Sequence, residues 1–203
     1  MPLVTAIKPQ KNKKRVNIYL DGKFGFGIDL ENFVMLGLKV ERELSDKEVE
    51  EIVKKAQFQK TLDKLLRFAT LRPRSEKEIK DWFKRRKVHE SLHQELFNRL
   101  NRLDLIDDEK FAQWWVEQRM AFKPRGKRVL GQELRQKGVD KEIIEETLSG
   151  IKLDETKVAG ELLKKKAYRW EKLPRLEARR KMAQFLGRKG FAWETIEKII
   201  EKR

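Results

Sequence analysis

His89-Glu90-Ser91-Leu92-His93 satisfies the H-E-x-x-H pattern, in which two histidines one helical turn apart hold zinc and the glutamate activates a water. These are the only two histidines in the chain, so a third ligand would have to be a carboxylate such as Asp107, Asp108 or Glu109. The segment also falls where a helix starts, and the corresponding positions elsewhere in the chain carry no ligands. An ordinary helix start is the better reading, and no metal or cofactor is expected. Other catalytic patterns are missing. Gly25-Phe26-Gly27 lacks the lysine and helix of a phosphate-binding loop, no serine or threonine lies in a nucleophile-elbow context, and with no Cys there is no thiol chemistry. The sequence does not read as an enzyme.

The basic residues are more informative. Residues 123–137 contain Lys123, Arg125, Lys127, Arg128, Arg135 and Lys137 against one acid, Glu133. Arg128 and Arg135 fall two turns apart on one helical face, with Gly131 between them read as allowing close approach. Arg125 lies beside a helix N-terminus, whose free amides also favour anions. Arginine grips phosphates and carboxylates bidentately. Comparable sets are Arg72, Arg74, Arg85 and Arg86 upstream and Arg175, Arg179, Arg180 and Lys181 downstream. Lys164-Lys165-Lys166 points three ways around a helix and reads as a solubilising run.

These basic sets ride on a repeated unit. Leu71-Arg72-Pro73-Arg74, Phe122-Lys123-Pro124-Arg125 and Lys172-Leu173-Pro174-Arg175 place prolines 51 and 50 residues apart. Each is followed by a second shared pattern: Phe83-Lys84-Arg85-Arg86-Lys87-Val88, Leu134-Arg135-Gln136-Lys137-Gly138-Val139 and Leu186-Gly187-Arg188-Lys189-Gly190-Phe191. A two-part pattern at one period means one supersecondary unit used three times. Apolar spacing gives each unit three helices. Ser45 with Glu48 reads as a capping box and Ser75 with Glu78 as the cap of the next helix; Gly138 reads as a C-cap and Asp140 as a helix start. Trp82, Trp115 and Trp170 fall on apolar stripes and read as core, while Trp114 and Trp193 are less committed. Upstream, the alternation of residues 15–28 about Asp21-Gly22 reads as a β-hairpin, the one convincing β segment.

The expected fold is therefore mainly α: an N-terminal β-hairpin with leading helices over 1–56, then three-helix repeats over 57–106, 107–153 and 154–203. A shared apolar seam would make this an elongated, curved array. Net charge is +16 over 203 residues. Residues 57–106 and 154–203 carry most of it, with 13 basic against 7 acidic residues and 15 against 8. That balance favours a polyanionic partner, nucleic acid or an acidic protein assembly. The lack of Cys, of a signal-peptide core and of a membrane-length apolar run points to a soluble cytoplasmic protein.

The linked motifs resemble those of the RecX family of bacterial recombination regulators. They are Arg15-Val16-Asn17-Ile18-Tyr19-Leu20-Asp21-Gly22, Arg72-Pro73-Arg74-Ser75-Glu76-Lys77-Glu78, Leu105-Ile106-Asp107-Asp108-Glu109-Lys110-Phe111-Ala112, Pro124-Arg125-Gly126, and Gln132-Glu133-Leu134-Arg135-Gln136-Lys137-Gly138-Val139. Lys87 departs from that pattern, which has glycine there, and Gly131 replaces a bulkier or basic residue. The resemblance implies a protein that binds the RecA recombinase, chiefly as a filament on single-stranded DNA; nothing in the sequence calls for a dimer, so a monomer is expected. It also implies inhibition of the filament's recombination, ATPase and coprotease activities, and so an effect on DNA repair and the SOS response. Contact through Arg72, Arg74, Lys123, Arg125, Lys127, Arg128, Arg135, Arg175, Arg179 and Arg180 is expected, so reversing charge at Arg125 and Arg128 should abolish filament binding. The competing class is a stand-alone basic DNA-binding protein, because three-helix units resemble helix-turn-helix modules.

Overall fold

Three short strands, β1 (Val4–Pro9), β2 (Arg15–Leu20) and β3 (Lys23–Asp29), form one antiparallel sheet in that order in the computed structural model, which describes residues 1–11, 13–151 and 154–201. The expected ends of the second and third repeats, residues 153 and 203, lie outside the described residues. Asp21 and Gly22 both take positive φ, 48° and 77°, as a tight hairpin turn requires. The expected hairpin is thus two strands of a three-stranded sheet. β1 escapes sequence reading because its pairing slips between Val4 and Ala6. That irregularity puts Val4 and Ile7, three residues apart, against the same core and breaks the two-residue period.

From there on the chain is helical: α1 (Leu30–Met35), α2 (Asp46–Ala69), α3 (Glu76–Arg86), α4 (His93–Arg102), α5 (Asp108–Phe122), α6 (Lys127–Gln136), α7 (Lys141–Gly150), α8 (Glu155–Lys166), α9 (Arg175–Lys189) and α10 (Trp193–Glu201). Ser45 and Glu48 close the expected capping box at the start of α2. This helix runs unbroken through residues 56 and 57.

The chain divides into two compact units, and neither is continuous in sequence: Met1–Leu71 with Lys87–Leu103, and Arg72–Arg86 with Asp104–Arg203. In the first unit α2 packs on β3 and α4. Val16, Ile18, Phe26, Ile28, Leu44, Ile52 and Ala56 form its sheet-side core. The second unit takes α3 away from its sequence neighbours α2 and α4 and sets it with α5–α10. Here Phe111, Val116, Leu130, Leu134 and Ile144 make one core. Ala159, Leu163, Met182, Leu186 and Ile199 belong to another. The second and third repeats thus keep separate apolar cores where a shared seam was expected. What joins them is polar.

Candidate anion-binding joints between repeats

The recurrent motifs meet each other. Ser75, just ahead of α3, accepts the Glu78 N–H through Oγ (3.2 Å) and donates that hydroxyl to the Lys137 carbonyl in the last turn of α6 (2.8 Å). Lys77 Nζ donates to the neighbouring Gln136 carbonyl (2.8 Å). The Glu76 N–H, first in α3, donates to the Asp108 carboxylate at the start of α5 (2.9 Å). One repeat further on, the arrangement recurs. The Gly126 N–H ahead of α6 donates to the Lys189 carbonyl in the last turn of α9 (2.9 Å). Arg128 Nη2 reaches the Gly187 carbonyl (2.8 Å), and the Lys127 N–H donates to Glu155 at the start of α8 (2.7 Å).

Each joint sets the N-terminus of one middle helix on the C-terminus of the next, so free amides meet free carbonyls and the dipoles align. The glycines make the approach possible. Gly138 and Gly190 sit at φ 82° and 89°. A Cβ on Gly138 would lie 2.6 Å from the Lys77 Cβ, and one on Gly126 2.2 Å from the Gly190 carbonyl oxygen.

At the first joint the cations surround an acid. Glu78, the third residue of α3, is buried and ion-paired to Arg72 (2.8 Å), Lys137 (2.8 Å) and Arg74 (3.6 Å). Burial favours its protonated form, but the hydrogen bonds from Arg72 and Lys137 outweigh this and hold its pKa below the usual carboxylate value. The expected cap on this helix is present in the Ser75 Oγ that accepts the Glu78 N–H. Arg74 is only 7 % exposed, and burial with the like charge of Arg72 lowers its pKa. Arg72 also lies 4.8 Å over Trp114. A second carboxylate, Glu133, binds Arg119 (2.7 Å) and the Trp115 indole N–H (3.0 Å).

At the second joint Lys123 and Arg125 hold the places of Arg72 and Arg74, and Lys189 that of Lys137. Lys189 is half-buried. Its pKa is lowered by burial and by the like charges of Arg125, Lys166 and Lys123. Arg125 Nε is buried with no hydrogen-bond partner.

The basic residues read from sequence therefore divide. Arg72, Arg74 and Arg128 are engaged inside joints, and Lys127 contributes its backbone N–H to one. The exposed Lys123 and the half-buried Arg125, Lys189 and Lys166 form the cationic cluster. The last two escape sequence reading, Lys166 because it sits in a run that reads as solubilising. Arg135, Arg175 and Arg180 are exposed, with Arg179 half-buried in α9. Gly131 faces inward, 3.4 Å from Leu148 when given a Cβ, and does not bare the Arg128–Arg135 face. The sequence signal for Lys189 is its place beside glycine in the repeat motif, and that for Glu78 is its capping spacing from Ser75.

The histidines belong to the first unit. His89 Nδ1 is 2.8 Å from Ser91 Oγ, ahead of a single 3₁₀ turn, Glu90–Leu92. His93 opens α4 with Nε2 3.0 Å from the Val88 carbonyl. The pair does not share one α-helical turn, and among the described residues no three His, Asp or Glu side chains are grouped to hold a metal ion. Trp82 and Trp170 are buried, Trp114 and Trp115 half-buried, and Trp193 exposed. No helix among the described residues is long and apolar enough to cross a membrane.

Comparison with known proteins gives this architecture a family. Residues 2–45 match the profile of the regulatory protein RecX N-terminal domain, 107–148 the second RecX three-helix domain and 154–200 the third. Proteins named regulatory protein RecX match the whole chain. That of Bacillus licheniformis is 33 % identical over 204 residues, 78 % of its own length. That of Bacillus subtilis is 33 % identical over 204 residues, 77 % of its length. A crystal structure of a regulatory protein RecX superposes with TM-score 0.73 at 26 % identity, covering all of both chains. That of RecX from Lactobacillus salivarius gives 0.63 at 28 %, covering 72 % of this chain and 96 % of its own. Three domain profiles in order, whole-chain relatives named as regulators and a shared helical repeat fold converge: the chain belongs to the RecX family of regulatory proteins.

Proposed function

We propose that the protein binds the filament that the RecA recombinase forms on single-stranded DNA and restrains it, lowering its recombination, ATPase and coprotease activities and damping DNA repair and SOS responses. The observation that carries this reading is family membership over the whole chain, with relatives named as regulatory proteins. The cations add support. Lys123, Arg125, Lys166 and Lys189 make no ion pair among the described residues, and Arg135, Arg175 and Arg180 are exposed. Such side chains meet acidic groups on protein or phosphates on DNA. The names of the relatives carry no enzymatic activity, and a regulator acting by occupancy needs none. Its partner would place it in the cytoplasm.

The test is binding to recombinase alone, to single-stranded DNA alone and to the assembled filament at one ionic strength, with filament ATP hydrolysis followed in parallel. Tightest binding to the filament, with slowed hydrolysis, is the expected result. Equal affinity for bare DNA and filament would instead make this a plain DNA-binding protein.

A further inference from the structure

The two joints solve the same cation problem differently. In register with the repeat, Glu78 is the third residue of α3 and Val129 the third residue of α6. Glu133 lies four residues before Lys137, and Phe185 four before Lys189. The two carboxylates that pair with cations at the first joint are therefore apolar residues at the second, while Asp108 keeps an acidic counterpart in Glu155, which accepts the Lys127 N–H. The cations persist: Arg72, Arg74, Lys137 and Arg119 become Lys123, Arg125, Lys189 and Lys166. The acid nearest in register, Glu161 in the place of Trp114, makes no ion pair among the described residues.

We propose that the second joint is an anion-binding site, in which Lys123, Arg125, Lys166 and Lys189 hold a phosphate of a single-stranded nucleic acid where the first joint holds its own carboxylates. The first joint is the template. Three cations there converge on Glu78 oxygens, showing that this backbone arrangement presents donors to one oxyanion. At the second, the buried Nε of Arg125 is a donor left waiting. Four like charges gathered with no ion pair among the described residues repel one another, and an incoming anion relieves that repulsion.

Exposed aromatic rings favour nucleic acid over an acidic protein. Phe122, beside Lys123, is 77 % exposed, and Tyr168, whose pKa is lowered by Arg169 and then Lys166, is 64 % exposed. Bases stack on such rings while cations track the phosphates. This deepens the reading above and rests on it only for the biological setting; the site itself stands on the comparison of the joints.

The test uses the full chain and a fluorescently labelled oligothymidylate, read by anisotropy across a salt series. Val129→Glu rebuilds the first joint's own carboxylate. It should weaken oligonucleotide binding at least tenfold and flatten the salt slope by roughly 0.7 for each phosphate no longer engaged. Lys123→Glu, at an exposed position, is the parallel variant and should act in the same direction with an unchanged circular dichroism spectrum. Phe122→Ala should weaken the oligonucleotide but leave competition by inorganic phosphate unaltered. Wild-type affinity in both charge variants overturns the proposal. So does polyglutamate competing as well as the oligonucleotide while Phe122→Ala and Tyr168→Ala are silent, which would make the occupant an acidic protein. Filament binding by the same variants separates the two readings. Loss of oligonucleotide with filament binding retained upholds the phosphate site and removes it from the regulatory contact. Loss of filament binding alone overturns the phosphate site and leaves the regulatory reading standing.

Discussion

Glu78 and Val129 hold one position in two repeats, and the difference between them sets the electrostatics of the second unit. Removing the Glu78 charge as Glu78→Gln leaves Arg72, Arg74 and Lys137 gathered around a neutral amide. Breaking a buried ion pair on one side typically costs about 3–5 kcal/mol, and urea denaturation of that variant should show a loss in this range. The pH dependence has a definite sign. The pKa of Glu78 is lowered on folding, so its contribution is present above its unfolded pKa, about 4.3, and is lost as pH falls through the folded value. Glu78→Gln should therefore be less stable at neutral pH and lose less on acidification than the parent. Asp108 acts oppositely. Burial, with the nearby charges of Glu76 and Asp140, raises its pKa, so its ionisation weakens the fold as pH rises through that value.

At the scale of elements, the repeat motif is a helix-end joint. Its proline-arginine part starts a middle helix, and its lysine-glycine part ends the one that receives it. The glycines answer to different neighbours, so substitution should rank them. A Cβ on Gly126 meets backbone, the Gly190 carbonyl, which cannot swing away. A Cβ on Gly138 meets the Lys77 Cβ, which its backbone holds in place, and suffers from positive φ as well. Gly126→Ala should cost about 1–3 kcal/mol as overpacking, and Gly138→Ala more, a similar overpacking plus about 1 kcal/mol of backbone strain. Denaturation midpoints of the two variants check this; equal or reversed costs would mean the joint relaxes more readily than its geometry implies. In the first repeat Lys87 stands at positive φ where the others have glycine.

For the whole molecule, the proposed function draws on the cations the joints leave over. Arg128 lends its guanidinium to the Gly187 carbonyl, so charge reversal there would disturb a joint as well as a surface. Arg135 and Arg180 are exposed and stand outside the ion pairs of the first joint and the cation cluster of the second, which makes them the cleaner probes. Reversing both to Glu should weaken filament binding at least tenfold and leave the circular dichroism spectrum unchanged. Intact filament binding in that double variant would move the regulatory surface to other residues.

Helices, caps and the three-fold plan were legible in the sequence because they rest on local rules: apolar spacing, proline and glycine punctuation, and side chains that cap their own helix. Ser45 with Glu48, the Asp21-Gly22 turn and the buried Trp82 follow from neighbours within a few residues. The likeness of the motifs to one family was legible for the same reason. Three things were not. β1 was hidden because a register slip broke its alternation. The grouping of α3 with α5–α10, away from α2 and α4, depends on contacts between residues some 60 positions apart, as between Ser75 and Lys137. And the separation of Arg72, Arg74 and Arg128 from Lys123, Arg125 and Lys189 needed the counter-charges to be placed in space. Sequence sets how many cations there are; only the tertiary structure decides which of them already have an anion.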